Sequence, residues 1–185
     1  MASILIPLAN GSEELEAVTL IDLFRRAGFE VVTAGLEPGP IKCSRGTVIL
    51  PDQTLDEAED RDYDLMVLPG GLPGADNLNA DPRIHRLLNK LSEQGRFVGA
   101  ICAAPKVLAD AGLLKGKRAT SFPGVLESME LGDDTTLTVE TVQRDGNVIT
   151  SRGPGTAMDF ALDLIELLAG PEKRRQVEEP LQRPT

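Results

Sequence analysis

The sequence predicts an α/β fold, a parallel sheet covered by helices on both faces with a small β-hairpin beside it. Short β-rich aliphatic runs alternate with helical segments along the chain, the order that builds parallel sheets through crossover helices. Nothing reads as a linker or a repeat, so residues 1–185 are expected to form one domain. With 41% apolar and 26% charged residues the balance is that of a globular chain. A chain of this length buries roughly 70% of the surface its unfolded form exposes, so it needs no metal or disulfide to hold it together.

Ser3 to Ala9 reads as an aliphatic strand and Glu13 to Ala27 as a helix. That helix has Ser12 as its expected N-cap, carboxylates in its first turn, and Arg25, Arg26 and then Gly28 at its end. Phe29 to Ala34 is a second strand, and Ile41 to Leu50, punctuated by Gly46, a hairpin or pair of edge strands. Leu65 to Leu68 is a buried strand running into Pro69-Gly70-Gly71. Asp81 and Pro82 open a helix to about Gln94, as N-cap and first helical residue. Phe97 to Ile101 is a strand ending at Cys102, and Ala104 to Ala111 a helix stopped by Gly112. Short strands are expected near Arg118 to Thr120, Leu137 to Val142 and Asn147 to Ser151. The last helix spans roughly Thr156 to Leu168, followed by a polar tail that is either helical or frayed.

Nineteen Lys and Arg against 29 Asp and Glu leave a net charge of −10, with one Tyr, five Phe and no Trp. Nucleic-acid binding uses cationic surface and stacking rings, and this chain has little of either. The first apolar run is too short for a signal peptide, lacks a basic flank and meets carboxylates at once. No stretch approaches the ~20 apolar residues of a membrane span. Cys43 and Cys102 form neither a metal nor a CxxC spacing, and the single His excludes most zinc sites. No metal or cofactor is expected, and a reducing cytoplasm is the default location.

In parallel sheets the site lies at the carboxyl ends of the strands, here the loops after Ala9, Leu68 and Ile101. Cys102 sits in Gly99-Ala100-Ile101-Cys102-Ala103-Ala104-Pro105, where a strand turns into a helix through small residues. Such a nucleophile elbow exposes a side chain above a helix N-terminus, where backbone donors lower a thiol pKa; a small buried hydrophobe at the strand end is the competing reading. Glu16 shares a helical face with Leu20, Leu23 and Ala27, the stripe expected to pack on the sheet. No Lys or Arg lies three or four residues away, so it is either protonated or at the stripe's edge reaching solvent. Glu13 and Glu14 read as solvated charges favoured by the helix dipole. Gly70 and Gly71 offer backbone donors or form no more than a loop, and Arg152 either presents its charge to an anion or belongs to a capping loop with no further role. Arg45 in the hairpin reads equally well as a solvated charge. His85 lies off the Ile84, Leu87, Leu88, Leu91 face and is expected to be exposed and not catalytic.

Gly11-Ser12-Glu13-Glu14-Leu15-Glu16-Ala17-Val18, Cys43-Ser44-Arg45-Gly46, Leu68-Pro69-Gly70-Gly71, Ala100-Ile101-Cys102-Ala103-Ala104-Pro105 and Thr150-Ser151-Arg152-Gly153-Pro154-Gly155-Thr156 together resemble the ThiJ/PfpI superfamily. The branch is that of the Parkinson's-disease-associated deglycase and bacterial YajL-type relatives. The resemblance covers essentially the whole chain. It implies a flavodoxin-like, class I glutamine amidotransferase-like domain that forms a homodimer, with Arg26 near the dimer contact. It makes Cys102 the reactive cysteine and Glu16 a protonated carboxyl that donates to the thiolate and to its sulfinate. Gly71, Ala103 and Gly70 would supply the oxyanion side, and Arg45, Arg152 and Phe122 an anion or substrate rim. The implied role is cysteine-dependent stress defence, with weak glyoxalase or deglycase activity on methylglyoxal or its protein adducts. The alternative is a non-enzymatic oxidative-stress sensor or chaperone acting through the Cys102 sulfinate. Family members often carry a His where this chain has Phe122 in Thr120-Ser121-Phe122-Pro123. That departure weakens hydrolase readings, which need a base beside the thiol.

Overall fold

A computed structural model describes residues 1–184. The first half contains β1 (Ser3–Leu8), α1 (Glu14–Arg26), β2 (Glu30–Gly35), β3 (Ile41–Lys42), β4 (Val48–Ile49), β5 (Gln53–Thr54), α2 (Leu55–Ala58), β6 (Leu65–Leu68), α3 (Leu72–Ala80) and α4 (Pro82–Glu93). The second half adds β7 (Phe97–Ile101), α5 (Pro105–Asp110), β8 (Arg118–Ala119), β9 (Thr136–Leu137), β10 (Val142–Asp145), β11 (Val148–Ser151) and α6 (Ala157–Glu178). Seven strands form the main sheet in the order β10-β11-β7-β6-β1-β2-β5, parallel except for β10, which pairs antiparallel with β11 across Gly146. The fold is flavodoxin-like, as the sequence predicts, and β3 and β4 make the small antiparallel hairpin.

Side chains alternate between the two faces of the sheet, and each face has its own core. Ile4, Ile6 and Leu8 of β1, with Leu65 and Val67 of β6, pack against Leu20, Leu23 and Phe24 of α1 and Phe160 and Ile165 of α6. Leu5 of β1, with Met66 and Leu68 of β6, faces Leu78 of α3, Ile84, Leu87 and Leu88 of α4 and Val107 and Leu108 of α5. Strands buried on both sides must be apolar at every position, which is why β1 and β6 read as unbroken runs. Among the described residues no helix is long and apolar enough to cross a membrane.

Several local expectations are corrected. Ser12 does not cap α1: it is buried, and its hydroxyl accepts the Ala9 N–H at 3.1 Å inside the β1–α1 loop. The cap is Glu13, whose Oε2 accepts the Glu16 N–H at 2.8 Å. Glu14 is no free solvated charge either. Its carboxylate accepts the Ser44 hydroxyl at 3.0 Å and the Arg45 amide at 2.9 Å, tying the hairpin to α1. β5, α2 and α3 had no counterpart in the sequence reading, and the run from Leu137 to Val142 divides into β9 and the start of β10. Of the two readings of the tail after Leu168, the helical one holds: α6 continues to Glu178 through a break at Gly170.

Candidate active site

β11, β7, β6 and β1 are consecutive in the sheet. The loops at their carboxyl ends are therefore neighbours, and they bring residues far apart in sequence to one place. Cys102 follows β7 with φ at +64°, a left-handed conformation that among the described non-glycine residues only Gln182 shares. For an L-residue this costs about 1–2 kcal/mol and persists only where its surroundings impose it. Here the Cys102 N–H donates to the Ser151 carbonyl at 3.1 Å, and the Cys102 carbonyl accepts the Phe122 N–H at 2.9 Å. With both peptide groups held and α5 opening at Pro105, the thiol is aimed out of the sheet, half-buried, toward backbone donors of Gly71 and Ala103.

Glu16 lies on the core-facing stripe of α1 and is 0% exposed. Its Oε1 accepts the Gly70 N–H at 3.2 Å, while Oε2 is buried without a conventional hydrogen-bond partner, and the carboxyl couples to the Cys102 thiol. Burial, reinforced by the charge of Glu13, pushes the Glu16 carboxyl up to about 8. The edge-of-stripe reading is therefore excluded. Cys102 departs from the lowered thiol expected at a helix N-terminus. Burial and the Glu16 charge push it up to about 12, against the two backbone donors.

Gly70 and Gly71 join the two. A methyl at Gly70 would lie 2.6 Å from Cys102 Cβ and 2.8 Å from Glu16 Oε1, so only glycine lets thiol and carboxyl approach. Gly71 has φ at +85°, and a side chain there would strike the Gly11 carbonyl oxygen.

Above the thiol opens a cavity of about 470 Å³, lined by Glu13, Ser44, Arg45, Gly71, Leu72, Pro73, Cys102, Ala103, Phe122, Val125 and Pro154. Of the residues singled out from sequence, Cys102, Gly71, Ala103, Arg45 and Phe122 thus meet in one cavity, with Glu16 and Gly70 against its floor. Arg152 does not line it; its guanidinium turns to the Thr120 hydroxyl at 3.0 Å and the Thr138 carbonyl at 3.5 Å. Arg26 pairs with Asp22 on the exposed side of α1. His85 is half-buried rather than exposed, its Nε2 2.8 Å from the Asn79 carbonyl oxygen, and is absent from the cavity. A second cavity of equal volume, lined by Met1, Asp64, Arg96 and Leu167 among others, contains no thiol. The sequence reading missed Glu13, Ser44, Leu72, Pro73, Val125 and Pro154 as cavity residues. All lie within three residues of a recognised motif, and that adjacency was the available signal. Cys43 is buried and free, its thiol raised by burial and by the charges of Glu14 and Glu13. Among the described residues no cluster of His, Cys, Asp or Glu could hold a metal.

A doubly covered parallel sheet with a strained cysteine elbow over a buried carboxyl places the chain among flavodoxin-like α/β proteins. The chain belongs to the DJ-1/PfpI family, whose model matches residues 2–167. It is 44% identical over 179 residues to the Parkinson disease protein 7 homolog of Danio rerio, covering 96% of this chain and 95% of that one. It is 39% identical over 180 residues to the glutathione-independent glyoxalase DJR-1.2 of Caenorhabditis elegans, covering 97% and 95%. The crystal structure of Drosophila melanogaster DJ-1beta superposes with a TM-score of 0.94 at 42% identity, covering 100% of this chain and 99% of that chain.

Proposed function

We propose that this chain is a cytoplasmic, homodimeric stress-defence protein that converts small dicarbonyls, methylglyoxal or its protein adducts, through Cys102 and Glu16. The observation that carries the reading is the pairing itself: a half-buried thiol on a strained elbow, open to a cavity, above a carboxyl that burial keeps protonated. The glyoxalase name of the nematode relative supports it. Exposed apolar side chains on α1 (Leu15, Val18) and around β4 (Val48, Leu50) support a dimer face, since the Glu14 clamp joins those two elements.

The two groups titrate as a pair. When Glu16 is ionised its charge adds to burial in keeping the thiol protonated; when Glu16 keeps its proton that repulsion is gone, and the Gly71 and Ala103 donors work against the burial that remains. The reactive arrangement is the minor one in which the single negative charge sits on sulfur with the Glu16 proton beside it. The thiolate adds to the aldehyde carbon, and the new alkoxide takes the Glu16 proton, giving a hemithioacetal. The Glu16 carboxylate removes the hydrogen from that carbon as a proton and returns it to the neighbouring carbonyl carbon, while the hydroxyl proton passes to the neighbouring carbonyl oxygen, leaving a 2-hydroxy thioester. Water hydrolyses the thioester, releasing lactate and regenerating the thiol. A group titrating near 8 moves a proton in both directions at neutral pH. With Phe122 in the cavity wall, Glu16 is the one proton carrier this route uses.

The test is lactate formation from methylglyoxal by wild type, Cys102→Ser and Glu16→Gln at matched concentration. Activity is expected to vanish in the serine variant and to fall by about 10²–10⁴-fold in the glutamine variant. Full turnover in Glu16→Gln would contradict the mechanism. The second reading, a redox sensor, draws on the same backbone donors, which can hold the oxygens of a sulfinate. Absence of turnover in wild type, with peroxide adding two oxygens at Cys102, would decide for the sensor.

A further inference from the structure

The lining of the cavity is uneven. Its polar side chains, Glu13, Ser44 and Arg45, come from the start of α1 and the hairpin it clamps. The remainder is apolar: Leu72 and Pro73 at the start of α3, Phe122 and Val125 from the turn after β8, and Pro154. Phe122 is 48% and Leu72 61% exposed, two large apolar side chains open to solvent beside one thiol. Single exposed apolar residues are ordinary, but a contiguous set around a reactive group is a binding wall.

That wall is fixed in position relative to the thiol. The Phe122 N–H donates to the carbonyl of Cys102 itself at 2.9 Å. The Val125 N–H donates to the Phe122 carbonyl at 3.1 Å, and the Ser121 hydroxyl both accepts the Leu126 N–H and donates to the Phe122 carbonyl. The ring rests against Gly153, where an added methyl would come within 3.4 Å of it. A wall carried on a backbone held this way needs little reordering when a ligand covers it, so covering it favours binding.

We propose that the site selects α-oxoaldehydes whose ketone carries a bulky, branched apolar group, with the Phe122 turn as the wall that sets this specificity. The proposal rests on the reading of Cys102 as the group that meets a dicarbonyl. The first step is addition of the thiol S–H across the aldehyde: a carbon–sulfur bond forms, the proton passes to the aldehyde oxygen, and nothing is oxidised or reduced. In the resulting hemithioacetal the substituent beyond the ketone lies against Phe122, Val125 and Leu72. A methyl group leaves most of that wall in water, whereas an isobutyl group covers it.

The experiment compares isobutylglyoxal with methylglyoxal, two alkyl dicarbonyls of similar intrinsic reactivity, in wild type, Phe122→Ala and Phe122→His. Wild type is expected to favour isobutylglyoxal by about tenfold in kcat/KM, the scale at which apolar pockets discriminate, and both variants to bring the ratio toward unity. A wild-type ratio at or below unity, or one that the variants leave unchanged, would overturn the proposal. Protection of Cys102 from iodoacetamide, read on its peptide by mass spectrometry, separates the two readings. If neither aldehyde is turned over but isobutylglyoxal protects at about tenfold lower concentration, and Phe122→Ala removes that advantage, the catalytic reading fails and the specificity stands. Equal protection by both aldehydes in wild type would overturn the specificity.

Discussion

Gly70 lacks a side chain because three groups converge where one would be: Cys102 Cβ, Glu16 Oε1 and the Ile101 carbonyl oxygen. Its amide is also the only conventional donor to the Glu16 carboxyl among the described residues. Gly70→Ala is therefore expected to lower stability by about 1–3 kcal/mol through overpacking, and to change the rate of Cys102 alkylation. Urea denaturation and thiol labelling would show it; a variant with wild-type values in both would mean the contact is slack. Much at this scale was legible in sequence. The small residues around Cys102 marked the elbow, and the spacing of Glu16 with Leu20 and Leu23 put a carboxyl on a buried stripe. Whether that carboxyl reached solvent was not legible, because periodicity gives direction around a helix but not the depth of the neighbouring loop. The direction of the Cys102 shift was illegible for a related reason. Helix donors and burial oppose each other, and only the packed surroundings determine which wins.

At the scale of elements, the site depends on how α1 begins and what that beginning holds. Glu13 caps the helix, Glu14 grips the hairpin and Glu16 points into the core, so three carboxylates within four residues do three different things. The grip predicts that Glu14→Ala speeds hydrogen exchange of the Arg45 amide about tenfold or more, while exchange in β6 and β7 stays slow, since charge-assisted bonds are worth about 1.5–3 kcal/mol. Unchanged exchange at Arg45 would show that the hairpin holds its shape without α1. The unbroken apolar runs of β6 and β7 and the periodic helix α4 were readable to within a residue or two. The missed α2 carries a capping box from Thr54 to Glu57, a signal present in the sequence. The missed α3 carries little signal: Gly74, Asn77 and Asn79 are poor helix formers, and its N-cap is Gly71 without a side-chain bond. It forms because tertiary packing of Ala75 and Leu78 outweighs propensity.

Across the whole molecule, strand order does what no local motif could. Placing β6 between β7 and β1 brings Cys102, Gly70 and Glu16 together, though Glu16 lies 54 residues from Gly70 in sequence. Alternating elements made the sheet class legible; the order of its strands was expected only through family resemblance. The same core carries an electrostatic cost. The folded chain holds the Glu16 proton up to about pH 8, whereas the carboxyl has an ordinary value of 4.5. Because the folded state binds the proton more tightly, the stabilisation is complete below 4.5 and is lost as pH rises toward 8. The most direct measurement is the unfolding free energy of wild type and Glu16→Gln across that window. The account predicts that the difference, wild type minus variant, falls by about 3 kcal/mol between about pH 5 and about pH 8. Two curves that run parallel within about 0.5 kcal/mol would mean that Glu16 is ionised in the folded protein at neutral pH, contradicting the protonated partner on which the site is built.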